Sequence, residues 1–442
     1  MDLTDRLEHV AVVGAAGKMG RGIAQLLALE LTWRALEHPD RSFVLDLIDA
    51  DDAALQALVR FLHQQAAPAA EKQIHRLRRL YRDRPDLVDN EDMVRAFGLE
   101  LLFRLRPGRT LALARDARLV FEAAFEREAT KTAIYTELAG LCGPDTWFLS
   151  NTSSLPIQAM SEACGLRGRM LGFHFYNPPA VQKLVELIRP RDADPELVRL
   201  ADALARALGK QTVASADIAG FIGNGHFVRD GLFAIRTLER LAPRFGFVPA
   251  LHLVEQVSRD WLVRPMGCFQ LMDFVGLDVV QQILRVMAGH LGPELHSDLL
   301  DRMLERGVRG GQAGDGSPRP GFQTYRQGRP AGIFDPDTGE YAALDAPWAR
   351  AAEAQLGPAP EAHAWKALRQ APDCAAQLAR HWKRLRQPQG LGDTLAREHF
   401  LASRQIGLDL VAQGVAASAE AVNQVLTLGF FHLYGPISDA LE

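Results

Sequence analysis

The apolar run Val10-Ala11-Val12-Val13 breaks at Gly14 and gives way to a helical spacing of apolar positions over residues 18–30. Strand, glycine turn and helix in that order open a doubly wound nucleotide-binding sheet. A second strand is predicted over 43–48, ending in the acidic cluster Asp49, Asp51 and Asp52. The intervening stretch 32–42 is longer than such a unit needs, which predicts a surface excursion. Residues 53–115, rich in Leu, Ala and Arg, read as mostly helical. Strand-like runs recur at 119–121, 147–149, 170–175 and 183–188, and they complete an α/β domain by about residue 215.

Beyond Gly220 the pattern turns helical and repeats itself. Residues 234–267, slid forward by 168 without gaps, match Ala402, Arg404, Gly414, Val422, Gln424, Val425 and Gly435. Seven identities in 34 positions exceed the roughly two that average usage would give, so a helical unit is present twice. The stretch around Gly310-Gly311-Gln312-Ala313-Gly314-Asp315-Gly316-Ser317-Pro318 reads as a linker. The predicted architecture is an α/β, Rossmann-like doubly wound sheet over 1–215 and two mainly α-helical domains, copy 1 over 216–308 and copy 2 over 340–442. Residues 309–339 link them.

With 442 residues, 48% hydrophobic and 24% charged, the chain can bury substantial cores. Its net charge of -4 offers no global basic field, so neither nucleic acid nor a membrane is an expected partner. Cys142, Cys164, Cys268 and Cys374 lie far apart without a C-x-x-C pair, which argues against zinc, any other metal site and a disulfide framework. The first residues lack a cationic start followed by an apolar stretch, and no apolar run reaches membrane-spanning length. A cytoplasmic location is expected.

Gly14, Gly17, Lys18, Met19 and Gly20 open the first helix in a G-x-x-G-x-x-G spacing, one residue wider than the usual dinucleotide turn. Backbone N–H groups and the helix dipole there suit a pyrophosphate. Asp49, at the end of the second strand, would accept from ribose hydroxyls and repel a 2'-phosphate, favouring NAD over NADP; the alternatives are Asp46 in that role, or an Asp49 that merely caps the next helix.

His174 stands in an apolar strand that must stop at Pro178-Pro179, and Glu186, twelve residues on, lies inside Leu184-Val185-Glu186-Leu187-Ile188. A carboxylate in such a run needs a partner, and a chain reversed at the double proline brings it beside His174. That pairing leaves one imidazole nitrogen free to take a hydroxyl proton, as alcohol oxidation requires; a core histidine satisfied by a structural glutamate is the plainer alternative. The hydroxyl-rich 150–155 segment and Gly220-Phe221-Ile222-Gly223-Asn224 are further candidates, each also readable as a cap or a turn. Lys72, Arg76 and Arg79 form a basic helix face that would meet phosphates or only solvent.

Taken together, these segments resemble the 3-hydroxyacyl-CoA dehydrogenase family over nearly the whole chain. The motifs that carry the likeness are the glycine turn, Phe121-Glu122-Ala123-Ala124-Phe125-Glu126, residues 150–155, His174 to Pro178 with Lys183-Leu184-Val185-Glu186, residues 220–224, and Arg264-Pro265-Met266-Gly267 running to Leu271-Met272-Asp273. The resemblance implies an NAD-dependent enzyme that interconverts (S)-3-hydroxyacyl-CoA and 3-ketoacyl-CoA in fatty-acid β-oxidation or related acyl-CoA metabolism. It makes His174 the base and Glu186 its orienting carboxylate. Ser153 and Asn224 would bind the reacting oxygen, Asn177 would support the site, and Glu126 and Lys131 would contact the nicotinamide ribose.

The wider glycine turn, the stretch after the first helix and the duplication depart from the family pattern. In that last respect the chain resembles the dehydrogenase part of multifunctional fatty-acid oxidation proteins. A second copy that replaces a partner subunit lets a monomer suffice, with a homodimer left open. The rival expectations are a dehydrogenase of a CoA-free hydroxy acid or sugar acid, and a non-catalytic NAD-binding scaffold.

Overall fold

The computed structural model describes residues 2–314, 316–361 and 364–441. Met1, Asp315, residues 362–363 and Glu442, which the predicted domains and linker include, lie outside them. The chain divides into two compact units, Met1–Asp217 and Ile218–Glu442.

The first unit runs α1 (Leu3–Leu7), β1 (His9–Val13), α2 (Lys18–Glu37), β2 (Val44–Ile48), α3 (Asp52–Lys72), α4 (Ile74–Leu80), α5 (Asn90–Arg104), β3 (Leu105–Gly108), β4 (Leu119–Glu122), α6 (Glu128–Leu141), β5 (Trp147–Ser150), α7 (Ile157–Ala163), β6 (Met170–Phe175), β7 (Leu184–Arg189), α8 (Pro195–Ala207) and β8 (Gln211–Ala216). Its eight strands form one sheet in the order β3-β2-β1-β4-β5-β6-β7-β8. All neighbours are parallel except β6 and β7, which are antiparallel. Strands β1, β4, β5 and β6 are buried on both faces, as near-continuous Val, Leu and Phe runs require of a sheet covered on two sides.

The surface excursion expected over 32–42 is corrected. Helix α2 continues to Glu37, because Thr32, Trp33 and Ala35 are buried rather than solvated. Trp33 packs on Phe97 of α5 with ring centroids 4.5 Å apart, and the guanidinium of Arg76 lies 4.4 Å over it. The extra chain lengthens a helix that α4 and α5 cover. Strand β3, not foreseen, contains Pro107 and survives because it is an edge strand.

The second unit runs α9 (Gly223–Phe245), α10 (Phe247–Gln256), α11 (Cys268–Val275), α12 (Leu277–Leu291), α13 (Asp298–Glu305), β9 (Gln323–Arg326), β10 (Arg329–Phe334), β11 (Tyr341–Ala343), α14 (Pro347–Leu356), α15 (Trp365–Gln370), α16 (Cys374–Leu385), α17 (Leu391–Ala412) and α18 (Ala419–Gly429). Some features recur at the spacing of 168 residues seen in the sequence match. Helices α9 and α17, whose first residues are 168 apart, pack on each other, and both end at a glycine with positive φ, Gly246 (84°) and Gly414 (72°). Glu255 of the first copy accepts the N–H of Phe269 at 2.9 Å, and Asn423 of the second accepts that of Ile437 at 3.0 Å. Both pairs are related by the same shift of 168.

Residues 309–339 are not a linker. They carry β9 and β10 of an antiparallel three-stranded sheet, and Phe322, Ile333 and Phe334 join the one core that holds Leu251 of the first copy and Phe400 of the second. The cause is Asp273, fully buried, whose carboxylate accepts the N–H groups of Phe322 (2.6 Å) and Gln323 (2.8 Å) and the hydroxyl of Tyr325 (2.9 Å). The copies share that core instead of forming separate domains. Among the described residues, no helix is long and apolar enough to cross a membrane.

A buried ion pair locks the copies together. Arg264 donates to Asp230 at 2.6 Å, His399 of α17 stands 3.1 Å from the other Asp230 oxygen, and Arg264 also reaches the Ser403 hydroxyl at 3.3 Å. Burial alone would raise the Asp230 pKa, but Arg264 and His399 outweigh it and hold the carboxyl well below the usual range. Removing one partner leaves a buried charge uncompensated. Arg264→Met is therefore expected to lower the unfolding free energy by about 3–5 kcal/mol, read as a fall in the urea midpoint, while the Asp230→Asn, Arg264→Met double variant recovers part of it. An unchanged midpoint in the single variant would deny the pair that role.

Candidate functional site

The dinucleotide turn is built by close backbone contacts. The N–H groups of Gly14 and Ala15 both donate to the Ile48 carbonyl at the end of β2 (2.9 and 3.1 Å). A Cβ on Gly14, where φ is 75°, would stand 2.7 Å from the Ala123 carbonyl oxygen, and one on Gly20 would stand 2.0 Å from that of Gly14. Gly17 is the N-cap of α2 and makes no side-chain cap, and the first turn carries no acidic residue. The N–H groups of Lys18, Met19 and Gly20 thus present the positive end of a 20-residue helix, beside a cradle that a side chain would fill. These are the features a diphosphate needs.

Asp49 accepts the N–H of Ala16 at 3.0 Å, joining the end of β2 to the turn. Both alternatives to it are corrected. Asp51, not Asp49, caps α3, accepting from Ala54. Asp46 is fully buried between His9 (2.6 Å) and Arg106 (2.8 Å), which takes it away from any ligand.

Glu126 organises the hydroxyl-rich segment. One of its oxygens accepts from the Thr152 hydroxyl (2.6 Å) and from the N–H groups of Ser153 (2.8 Å) and Ser154 (3.1 Å). Lys131, 1% exposed, places its ammonium 2.6 Å from Glu122 and 3.3 Å from Glu126. Expected at the nicotinamide ribose, Lys131 is instead enclosed by carboxylates, and Glu126 is the member of the pair that reaches solvent. Glu122 was not singled out by sequence; it also accepts from Ser150 (2.8 Å) and Tyr135 (3.2 Å). Burial pushes the Glu126 pKa up, but Lys131, the Thr152 hydroxyl and the Ser153 N–H outweigh it, so the carboxyl lies below its usual range. Burial likewise pulls Lys131 down, and Glu122 and Glu126 outweigh it, leaving the ammonium raised.

The antiparallel register sets His174 directly opposite Glu186. His174 Nδ1 stands 3.4 Å from Glu186 Oε1, with the carboxylate fully buried and the imidazole side chain 8% exposed. Tyr176, just past the end of β6 and two residues on from His174, donates to the same oxygen at 2.6 Å and packs its ring 5.0 Å from that of His174. Burial, with Glu186 beside it, pushes the Tyr176 phenol well above its usual pKa, so the tyrosine stays a donor. Asn177 follows, half-buried, and Asn151 accepts the Phe175 N–H at 2.9 Å, tying the hydroxyl-rich segment to β6. The turn at Pro178-Pro179 is held by Lys210, whose ammonium donates to the carbonyls of Pro179 (2.5 Å) and Gln182 (2.7 Å); burial, then Lys183, brings it down to about 8. Tyr176 and Lys210 were missed. A tyrosine at i+2 from His174 in a strand was the available signal for the first; nothing local marks the second.

In the second unit Asn224 lies in the first turn of α9, after Gly220 at φ 86°, where a Cβ would meet the Met287 sulfur at 2.5 Å. Asp230, Cys268 and His399 converge there in a grouping that could ligate a cation. Arg264 already neutralises Asp230, however, and burial, reinforced by Asp230, pushes the Cys268 thiol well up, which makes it a poor ligand. In the basic stretch, Arg76 is held by Glu37 at 2.7 Å as well as by Trp33.

Residues 9–218 match the family model for the 3-hydroxyacyl-CoA dehydrogenase NAD binding domain, and residues 249–318 match that for the 3-hydroxyacyl-CoA dehydrogenase C-terminal domain. The chain is similar to 3-hydroxybutyryl-CoA dehydrogenase of Mycobacterium tuberculosis (strain ATCC 25618 / H37Rv), at 33% identity over 330 residues, covering 73% of this chain and 100% of that one. It is similar also to the probable 3-hydroxybutyryl-CoA dehydrogenase of Bacillus subtilis (strain 168), at 30% identity, covering 72% and 97%. The crystal structure of 3-hydroxybutyryl-CoA dehydrogenase from Escherichia coli K12 shares the fold over 97% of this chain and 90% of that one, with a TM-score of 0.64 at 24% identity.

The Glu122–Lys131–Glu126 cluster has a pH signature. Glu126, depressed in the fold, contributes stability that is present above its unfolded pKa of about 4.3 and is lost as pH falls through the folded value; Lys131, raised, contributes below about 10.4 and is lost as pH rises through its folded value. Lys131→Met should cost about 3–5 kcal/mol through the neutral range, with the deficit shrinking at acid pH as the carboxylates protonate. Denaturation at a series of pH values measures this, and a deficit that grows toward acid would contradict the assignment.

Proposed function

We propose a reaction for a chain that belongs to the 3-hydroxyacyl-CoA dehydrogenase family and takes NAD as its cofactor: the interconversion of (S)-3-hydroxyacyl-CoA and 3-ketoacyl-CoA, in fatty-acid β-oxidation or related acyl-CoA metabolism. The observation that carries the reading is the His174–Glu186–Tyr176 arrangement at the strand reversal. NAD supplies the hydride acceptor when bound. Residues Gly14, Gly17, Lys18, Met19 and Gly20 would hold its diphosphate and Asp49 its adenosine ribose, with Glu126 toward the nicotinamide ribose.

In the oxidation direction, His174 takes the C3 hydroxyl proton on Nε2 as hydride leaves C3. For that, Nε2 must be the unprotonated nitrogen, and Glu186 fixes this tautomer by holding the proton on Nδ1. As the imidazolium forms, the same carboxylate stabilises it. Tyr176, a second donor to Glu186 Oε1, keeps that oxygen in place without taking the proton. Ser153 would hydrogen-bond the oxygen that becomes the ketone, and Asn177 would support it; the Glu126 contacts to Thr152, Ser153 and Ser154 fix the serine backbone for this task. Asn224, in the second unit, carries an amide suited to a substrate oxygen. The shared core of the two helical copies supports a chain that needs no partner through that surface.

The test is NADH absorbance at neutral pH with acetoacetyl-CoA and with 3-ketodecanoyl-CoA. Wild type should oxidise NADH, and His174→Ala should lose about 10²–10⁴-fold in kcat. Glu186→Gln should lose less and shift the pH profile. Turnover of a CoA-free hydroxy acid with none of either thioester would replace this reading, and NAD binding without turnover of any of them would leave a scaffold. Light scattering is expected to give the mass of one chain; an obligate dimer joined through the second unit would contradict the self-sufficient pair of copies.

A further inference from the structure

We propose that helix α17 of the second copy forms one wall of an acyl-tail groove in the second unit, so that the duplicated copy helps to set chain-length preference. The inference rests on the reading of Asn224 and the thioester substrate given above. The groove is a cavity of about 530 Å³, within the size range of small-molecule sites. Leu232, Phe233, Leu291 and Leu295 line it from the first copy, and Ala402 and Ile406, one turn apart on α17, line it from the second.

Its position connects it to the reacting end. Arg229, also in the lining, donates to the Gly225 carbonyl at 2.8 Å, and a Cβ on Gly225 would meet the side chain of Leu410 at 3.1 Å. Helix α17 therefore lies directly on the turn of α9 that carries Asn224. On α9 the lining runs from Arg229 to Arg236, about 10 Å along the helix. Arg229 lies five residues past Asn224 on the same helix, so the tail of a thioester whose C3 oxygen is held at Asn224 would reach the lining within about 8 Å.

The charges in the groove point to an uncharged occupant. Half-burial pulls the Arg229 guanidinium below its usual pKa, and Asp409 and Glu294 act against that pull. Two arginines, Arg229 and Arg236, and two carboxylates, Glu294 and Asp409, share the lining with the neutral amides Gln405 and Gln413, so its formal charge sums to zero. What remains for a ligand is the aliphatic face, on which each buried methylene is worth about 0.8 kcal/mol.

The experiment measures kcat/KM for NADH-dependent reduction of acetoacetyl-CoA and 3-ketodecanoyl-CoA in the full chain, wild type against Ile406→Trp and Ala402→Leu. Filling the groove should lower the long-to-short ratio of kcat/KM roughly tenfold or more in Ile406→Trp, and in the same direction in Ala402→Leu. The leucine variant serves if the tryptophan chain does not fold. A ratio unchanged in the variants, whether or not both rates fall together, overturns the groove while leaving the dehydrogenase reading intact. A wild type inactive on both thioesters removes that reading, and the groove with it.

Discussion

Carboxylates buried away from water must be matched by donors or cations, and in this chain each such match fixes a segment that local propensity would leave undecided. Glu186 fixes His174 and Tyr176 on the neighbouring strand. Glu122 fixes Lys131, Tyr135 and Ser150, and through Lys131 it fixes Glu126, which gathers the backbone of the hydroxyl-rich segment. Asp273 draws in Phe322, Gln323 and Tyr325, and Asp230 draws in Arg264 and His399. Each lies within one unit, and most join separate elements, so the order of the site follows from desolvation more than from secondary structure.

The duplication shows how a repeated unit is divided between tasks. The backbone contact made by Glu255 in the first copy is kept by Asn423 in the second, with the charge gone. At the position equivalent to Asn224 the second copy has Gly392, where a Cβ would stand 2.7 Å from the ring of Trp261. The amide that could face a substrate is thus replaced by the absence of a side chain, and the space is filled by the first copy's tryptophan, whose Nε1 donates to Asp393 at 3.1 Å. Sequence drift in the second copy has gone toward packing on the first.

Much of this was legible because the decisive residues announce themselves by contradiction. Glu186 in an apolar strand and a double proline between it and His174 leave few arrangements that satisfy both, and the register delivers the pairing. The glycine turn was legible because only glycine fits where backbone meets backbone at 2.0–2.7 Å. The rest was hidden for equally physical reasons. Residues 309–339 look like a linker because their glycines and prolines carry no pattern, and their order comes from Asp273, far away in sequence. Trp33 read as part of a surface excursion because the residues that pack on it, Arg76 of α4 and Phe97 of α5, lie 40 to 65 positions on. Lys131 has the right spacing for a ligand contact, and only the burial of Glu122 reveals that its charge is already committed.

The Tyr176 and His174 contacts to Glu186 Oε1 also bear on the base proposed at His174. At 2.6 Å the Tyr176 hydroxyl is the shorter contact, and at 3.4 Å the His174 Nδ1 contact is long for a hydrogen bond to a carboxylate. A carboxylate bound too tightly to the imidazole would hold it as imidazolium and leave no nitrogen to accept a proton. A carboxylate with no other donor would itself be driven toward the neutral acid by burial. Tyr176 supplies such a donor through a bond that transfers no proton, and the His174 contact is the longer of the two. A phenol pushed well above its usual pKa by burial and by Glu186 is suited to that part, because it remains a donor at neutral pH.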